Sequence, residues 1–140
     1  MLCDIKRKLG NLTVRQLVSE SAWDNSAEAT DKKMAEFQRR ENWNLYGWLE
    51  NNEILGVCGV EVYPDWVVIH NIAVDPNIRK RGIGKAMITA VQQKYKKTIK
   101  AETDDDAVGF YQKCGFETEG FMRTYNDGEY KRYKCVLYFN

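Results

Sequence analysis

Apolar positions along this 140-residue chain recur with two different periods, and the changes from one to the other outline its elements. Residues 1–9 read as a first strand, broken at Gly10 and Asn11. From Thr13 onward, Val14, Leu17, Val18 and Ala22 fall at helical spacing, with Asn11 or Thr13 as the cap. A second helix is expected over about 28–40, where Met34 and Phe37 form the apolar side of a charged segment. Residues 46–50 and 53–63 are strand-like on either side of Asn51 and Asn52, a pair that tolerates the positive dihedrals of a hairpin turn.

Pro64 and Asp65 mark the next turn. Residues 66–74 are then nearly continuous in apolar character, as expected of a strand covered on both faces. Ile83, Met87, Ile88 and Val91 set a helix over 82–97. A short strand over 98–103 and a short helix over 104–114 follow, the helix closed by Gly115. The chain ends in a hairpin of 116–123 and 129–139 around Asn126, Asp127 and Gly128. The order β-α-α-β-β-β-α-β-α-β-β describes an α/β (α+β) mixed sheet of seven strands with four helices packed on it. No repeat, low-complexity tract or linker interrupts it, so residues 1–140 read as a single domain.

Composition narrows the function classes. Hydrophobic residues at 44% and charged residues at 29% suit a soluble globular chain rather than a disordered one. Lys and Arg number 21 against 20 Asp and Glu, so the net charge of +1 gives no general pull toward nucleic acid or a membrane. Any anion site must come from local clustering. The four cysteines (Cys3, Cys58, Cys114 and Cys135) form no CxxC pair and His70 is the only histidine, so no metal site is expected. Asp4, Lys6, Arg7 and Lys8 break up the first residues, so no hydrophobic leader is expected there, and the apolar runs are too short to cross a bilayer. The expectation is a cytoplasmic chain with free thiols.

The clustering lies at Val74-Asp75-Pro76-Asn77-Ile78-Arg79-Lys80-Arg81-Gly82-Ile83-Gly84-Lys85-Ala86, between a buried strand and a helix. A helix start already presents unpaired N–H donors and the positive end of the macrodipole. Arg79, Lys80, Arg81 and Lys85 add cations there, and Gly82 and Gly84 weaken the helix start by about 1 kcal/mol each relative to Ala. A bound di-anion would offset both costs; a solvated basic loop is the other reading. A Walker A loop would need Gly at Arg79 and Ser or Thr at Ala86, and the dinucleotide fingerprint would need Gly at Met87. Neither fits.

Arg79-Lys80-Arg81-Gly82-Ile83-Gly84, preceded by Ala73-Val74-Asp75-Pro76, resembles the acyl-CoA-binding motif of the GNAT superfamily of N-acetyltransferases. Ala107-Val108-Gly109-Phe110-Tyr111-Gln112-Lys113-Cys114-Gly115-Phe116 is similar to that family's second block, a short helix ending in Tyr-x-Lys-x-Gly-Phe. The resemblance implies a mostly antiparallel sheet with a splayed central pair of strands. It further implies acetyl-CoA as co-substrate, its pantetheine arm along Ile72, Ala73 and Val74. The pyrophosphate would lie on Arg79, Lys80, Arg81, Gly82, Ile83, Gly84 and Lys85. Tyr111 matches the tyrosine that protonates the departing thiolate; a phenol of unperturbed pKa about 10 can do so.

Two positions depart from the family. Where it often has Asn in contact with the cofactor arm, this chain has Asp104, which can still cap the helix. Where some members carry a catalytic Glu, it has Val68. The candidates for the base are therefore His70, which should share a face with Val68, Glu61 on the preceding strand, or a water chain. A covalent route would require Cys114 or Cys58 to meet His70, and direct transfer in a ternary complex is simpler. The acceptor pocket is expected from the first two helices, the loop between them and the final hairpin, where the chain offers Trp23, Trp43, Trp48, Tyr125 and Tyr130 beside Asp24, Glu28, Glu41, Asp127 and Glu129. Such a lining would suit a cationic amine, and the amine's identity is open, as is a homodimer. The rival readings are a non-catalytic acyl-CoA sensor and a nucleic-acid module built on Arg79–Arg81, the latter disfavoured by the missing second basic stripe.

Overall fold

The computed structural model describes residues 1–22, 24–79 and 81–140. Its strands are β1 (Leu2–Asp4), β2 (Trp43–Glu50), β3 (Glu53–Val62), β4 (Trp66–Val74), β5 (Thr98–Thr103), β6 (Glu117–Tyr125) and β7 (Gly128–Leu137). The helices are α1 (Leu12–Glu20), α2 (Ala27–Arg39), α3 (Ile83–Tyr95) and α4 (Val108–Lys113). All seven strands join one sheet in the order β1-β2-β3-β4-β5-β7-β6. Every neighbouring pair is antiparallel except β4 and β5.

The first strand is shorter than the apolar pattern suggests. After Asp4 the chain turns inward so that Ile5 is 1% exposed. Lys6, Arg7 and Lys8 form a single 3-10 turn, because three successive charged side chains have no alternating face to bury. Asn11 caps α1 by accepting hydrogen bonds from the N–H groups of Thr13 and Val14, and Ser26 caps α2 through the N–H of Ala29. Asn51 and Asn52 carry φ of 51° and 66°, the left-handed pair of a two-residue hairpin. Helix α4 starts later than its sequence pattern because Asp104 first closes a turn, its Oδ1 accepting from the N–H groups of Asp106 and Ala107.

The sheet is covered on both faces. Against α3 and α4, Val60, Val67, Ile69, Met87, Ile88, Val91 and Ile99 form one core. Against α1 and α2, Ile5, Val14, Val18, Phe37, Leu45 and Val57 form the other. Met87 and Val91 are fully buried, each a side chain whose removal from water contributes about 1.5–3 kcal/mol. Strand β4 is not covered evenly. Val67 and Ile69 are buried, whereas Val68, His70, Ile72, Ala73 and Val74 are only half-buried. The pairing explains the difference: β4 meets β5 only through Trp66, Val67 and Val68 opposite Thr98, Ile99 and Lys100. Beyond that point β5 pairs with β7 alone and the two central strands part.

A second irregularity positions the site. Gly59 faces Asn71, but the next residue, Val60, faces Ile69, so His70 is an extra residue bulged from β4. A bulge places two successive side chains on one side. His70 stacks on Trp43 and Asn71 bonds Ser21, both on the α1–α2 face. Gly59 stands opposite this bulge with Phe37 pressed against it; a Cβ there would lie 2.3 Å from Phe37 Cζ. Gly59→Ala is therefore expected to destabilise the fold by about 1–3 kcal/mol, read as a lower Tm, with Phe37→Leu restoring part of the loss. An unchanged Tm would show that the ring has room to move.

Candidate active site

The parting of β4 and β5 opens a cavity of about 990 Å³ that runs between the two helical layers. One wall is the end of β4, where Ile72, Ala73 and Val74 have no strand partner on the β5 side. Backbone N–H and C=O groups left this way need a partner, and an extended amide-bearing chain can supply it.

At the α3 end the cavity is lined by Arg79, Gly82, Ile83, Gly84 and Lys85. Unlike α1 and α2, α3 has no side-chain cap, which leaves its first N–H donors for another acceptor. Gly82 has φ +78°, and a Cβ built on it would meet nothing within 4 Å. The glycine thus permits a left-handed turn and keeps open space over the helix start, a cradle that fits a pyrophosphate. Gly84 has a different reason. A Cβ there would lie 2.8 Å from Phe110 Cε1, so this glycine lets the α4 aromatic pack against α3. Arg79 bends back to donate from Nε to the Val74 carbonyl at 3.3 Å, at the cavity edge. Arg81 does not line the cavity; it pairs with Glu50 at 3.0 Å. Lys80 lies outside the described residues. Asp104 lines the cavity while its carboxylate holds the turn before α4.

Tyr111 and His70 border the same cavity. Tyr111 is held edge-on between Phe110 and Phe116, with centroids 5.2 and 5.1 Å away. It is 6% exposed, and burial pushes its hydroxyl well above the ordinary phenol range, so it keeps its proton. His70 lies 4.2 Å from the Trp43 ring in a stacked arrangement, and its Nε2 is 2.7 Å from Glu61 Oε1. Burial pushes the Glu61 carboxyl up, but hydrogen bonds from Tyr63, His70 and Asn42 outweigh it and hold Glu61 below its ordinary value. An ionised Glu61 can only accept, so Nε2 carries the hydrogen and Nδ1 keeps its lone pair. Burial lowers the pKa of His70; Glu61 opposes that shift, while Lys33 and Arg40 reinforce it. The imidazole is therefore neutral at pH 7.

The thiols are placed otherwise. Cys58 is buried in the α3-side core, across the sheet from His70, and burial pushes it up to about 12. Cys114 lines the cavity, and burial raises its pKa too. Neither is an activated nucleophile. Among the described residues no cluster of His, Cys, Asp and Glu is arranged to hold a metal ion.

The residues that periodicity offered for an acceptor pocket are not where the cavity lies. Trp43 is buried behind His70, and Trp48, Tyr125, Tyr130, Asp24, Glu28, Glu41, Asp127 and Glu129 do not line it. Trp23 lies outside the described residues. On the α1–α2 side the lining instead includes Glu20, Lys33, Asn71, Glu102 and Arg132. Asn71 donates from Nδ2 to Ser21 Oγ at 2.6 Å, while its Oδ1 has no donor. Its polarity inside an apolar strand was the one signal in the sequence that could have singled it out.

Residues 14–116 match the model of the Acetyltransferase (GNAT) family. A protein of Bacillus methanolicus described as an uncharacterized N-acetyltransferase in the lysA 3'region is 36% identical over 84 residues, 58% of this chain and 68% of its own length. The structure is also similar to a putative GNAT acetyltransferase from Desulfovibrio desulfuricans, with a TM-score of 0.80 at 19% identity, covering 100% of this chain and 99% of that one. A putative streptothricin acetyltransferase from Bacillus anthracis, solved with acetyl coenzyme A, is 28% identical with a TM-score of 0.62, covering 76% of this chain and 68% of that one. Family match, parted strands and uncapped glycine turn agree: this chain belongs to the GNAT acetyltransferase family and is an acyltransferase.

Proposed function

We propose that this protein transfers the acetyl group of acetyl-CoA to a primary amine by direct attack in a ternary complex. The observation that carries the proposal is the placement of a protonated phenol, Tyr111, and a neutral imidazole, His70, on one cavity beside the free edge of β4. Acetyl-CoA supplies the acyl group as a thioester. The main chain of Ile72, Ala73 and Val74 pairs with its pantetheine arm, and the first N–H groups of α3 with Arg79 and Lys85 hold its pyrophosphate. Lys80 belongs to the same basic run, and Arg81 supports the turn through Glu50.

His70 Nδ1 takes a proton from the attacking amine. Glu61, bonded to Nε2, fixes the tautomer that leaves Nδ1 free and stabilises the imidazolium that forms. Tyr111 donates its hydroxyl proton to the sulfur as the thiolate leaves. Burial keeps the phenol protonated until then and makes it a weaker acid, so the transfer is driven by the charge that develops on the sulfur.

A thermal-shift titration with acetyl-CoA, coupled to thiol release across a panel of amines, tests the reading. Stabilisation with thiol release supports it, and stabilisation without release for any amine would identify an acyl-CoA sensor instead. No stabilisation by any acyl-CoA would overturn the central claim. Tyr111→Phe is expected to bind acetyl-CoA within about twofold of the parent while kcat falls about 100-fold, the scale of a lost general acid; unchanged kcat would remove Tyr111 from that role.

The base must be deprotonated, so kcat is expected to fall as pH drops through the folded-state pKa of His70, which lies below the ordinary 6.5. Glu61 raises that pKa, so Glu61→Gln should move the acid limb to still lower pH and reduce the plateau. An acid limb that stays in place in Glu61→Gln and disappears in neither variant of the pair, Glu61→Gln or His70→Gln, would point to the water chain.

A further inference from the structure

On the α1–α2 side of the cavity, where an amine would approach His70, one cation lacks an anionic partner among the described residues. Lys33 lies midway along α2, half-buried, with its Nζ 5.4 Å from the centroid of the Trp43 ring on which His70 stacks. It forms no ion pair among the described residues. Its neighbour Glu36 is already bound by Arg39 and Arg40, and the ionised Glu61 is hydrogen-bonded to the neutral His70 and forms no ion pair with Lys33. Burial disfavours the charged form of Lys33, a cost that an anion beside it would relieve.

On the same face, the β5–β7 side of the gap leaves no acid free for Lys33. Glu102 of β5 is held by two arginines, Arg123 at 2.5 Å and Arg132 at 3.1 Å. Lys100 and Lys134 border the adjoining hollow on the same side. Glu20 is exposed at the rim, where it accepts from Gln16, and Asp104 and Asp106 line the cavity nearer α4. An anionic group on the acceptor would find, close to the base, an ammonium with no ion-pair partner among the described residues.

We propose that the acceptor is a small amine that also bears a carboxylate, with the carboxylate bound by Lys33 and the amine presented to His70. This rests on the acetyl-transfer reading and adds the substrate class. The geometry follows from Trp43: Lys33 Nζ and the His70 ring lie 5.4 and 4.2 Å from its centroid, a separation that a short amino acid with a contact at each end can span. Arg132, already shared with Glu102, contributes field rather than a dedicated contact.

The test compares matched amines (free amino acids, their amides and their decarboxylated counterparts) in the thiol-release assay, with acetyl-CoA binding measured separately. The free acids are expected to show kcat/KM about tenfold or more above their amides, the scale of a hydrogen bond to a charged group. Lys33→Glu should abolish or invert that ratio and Lys33→Gln should level it, both with acetyl-CoA affinity unchanged. Rising salt should weaken selection for the acids, because the contact is ionic. Equal use of acids and amides by the parent, or a ratio untouched in both Lys33 variants, would overturn the substrate class while leaving acetyl transfer intact. Failure to bind acetyl-CoA at all would overturn both.

Discussion

Strands β4 and β5 run parallel for three register pairs and then separate, although both continue for several more residues. A sheet interior rarely tolerates this, because each lost pair leaves an N–H and a C=O to be satisfied elsewhere. Here β5 turns its pairing to β7, and the edge of β4 from Ile72 to Val74 faces the cavity. The rest of the structure is arranged around that unmet edge. Helices α3 and α4 border it on one side and α1 and α2 on the other, so the gap becomes a passage between two helical layers.

The bulge at His70 supplies the second requirement. A regular strand would send successive side chains to opposite faces, and only one of His70 and Asn71 could reach the α1–α2 side. The extra residue brings both to that face, and the missing side chain at Gly59 makes room for Phe37 beneath them. His70 is then confined by Trp43 and Glu61, which determine its tautomer, while Tyr111 is confined by two phenylalanines. The buried phenol and the neutral imidazole are thus set by rigid elements on opposite sides of the sheet and keep distinct environments.

The two glycines of the basic turn show how one motif serves two physical ends. Gly82 adopts a left-handed conformation and leaves open space, whereas Gly84 accommodates an aromatic ring from α4. The motif is therefore a packing device as well as the cradle proposed for the pyrophosphate. Its four cations are also not equivalent, since Arg81 is committed to Glu50.

Much of this was legible in the chain itself. The period of the apolar residues placed all seven strands and four helices, because each element buries one face and must repeat its apolar positions accordingly. The turn residues Asn51, Asn52 and Gly115 marked their bends, since their positive φ suits few other residues. The basic glycine turn and the block around Tyr111 pointed to acyl-CoA through their resemblance to the two motifs of the family. What local spacing does not carry is which side chains meet across the sheet. The bonding of His70 to Glu61, the turning of Arg81 toward Glu50 and the unpaired state of Lys33 depend on strand register, on a bulge and on which acids have already found partners. Aromatic and acidic residues gathered from sequence for the acceptor pocket lie elsewhere, because amphipathic pattern reports whether a residue faces inward but not toward what. Element and motif are properties of neighbours along the chain; the charge and geometry of the cavity come from neighbours in space.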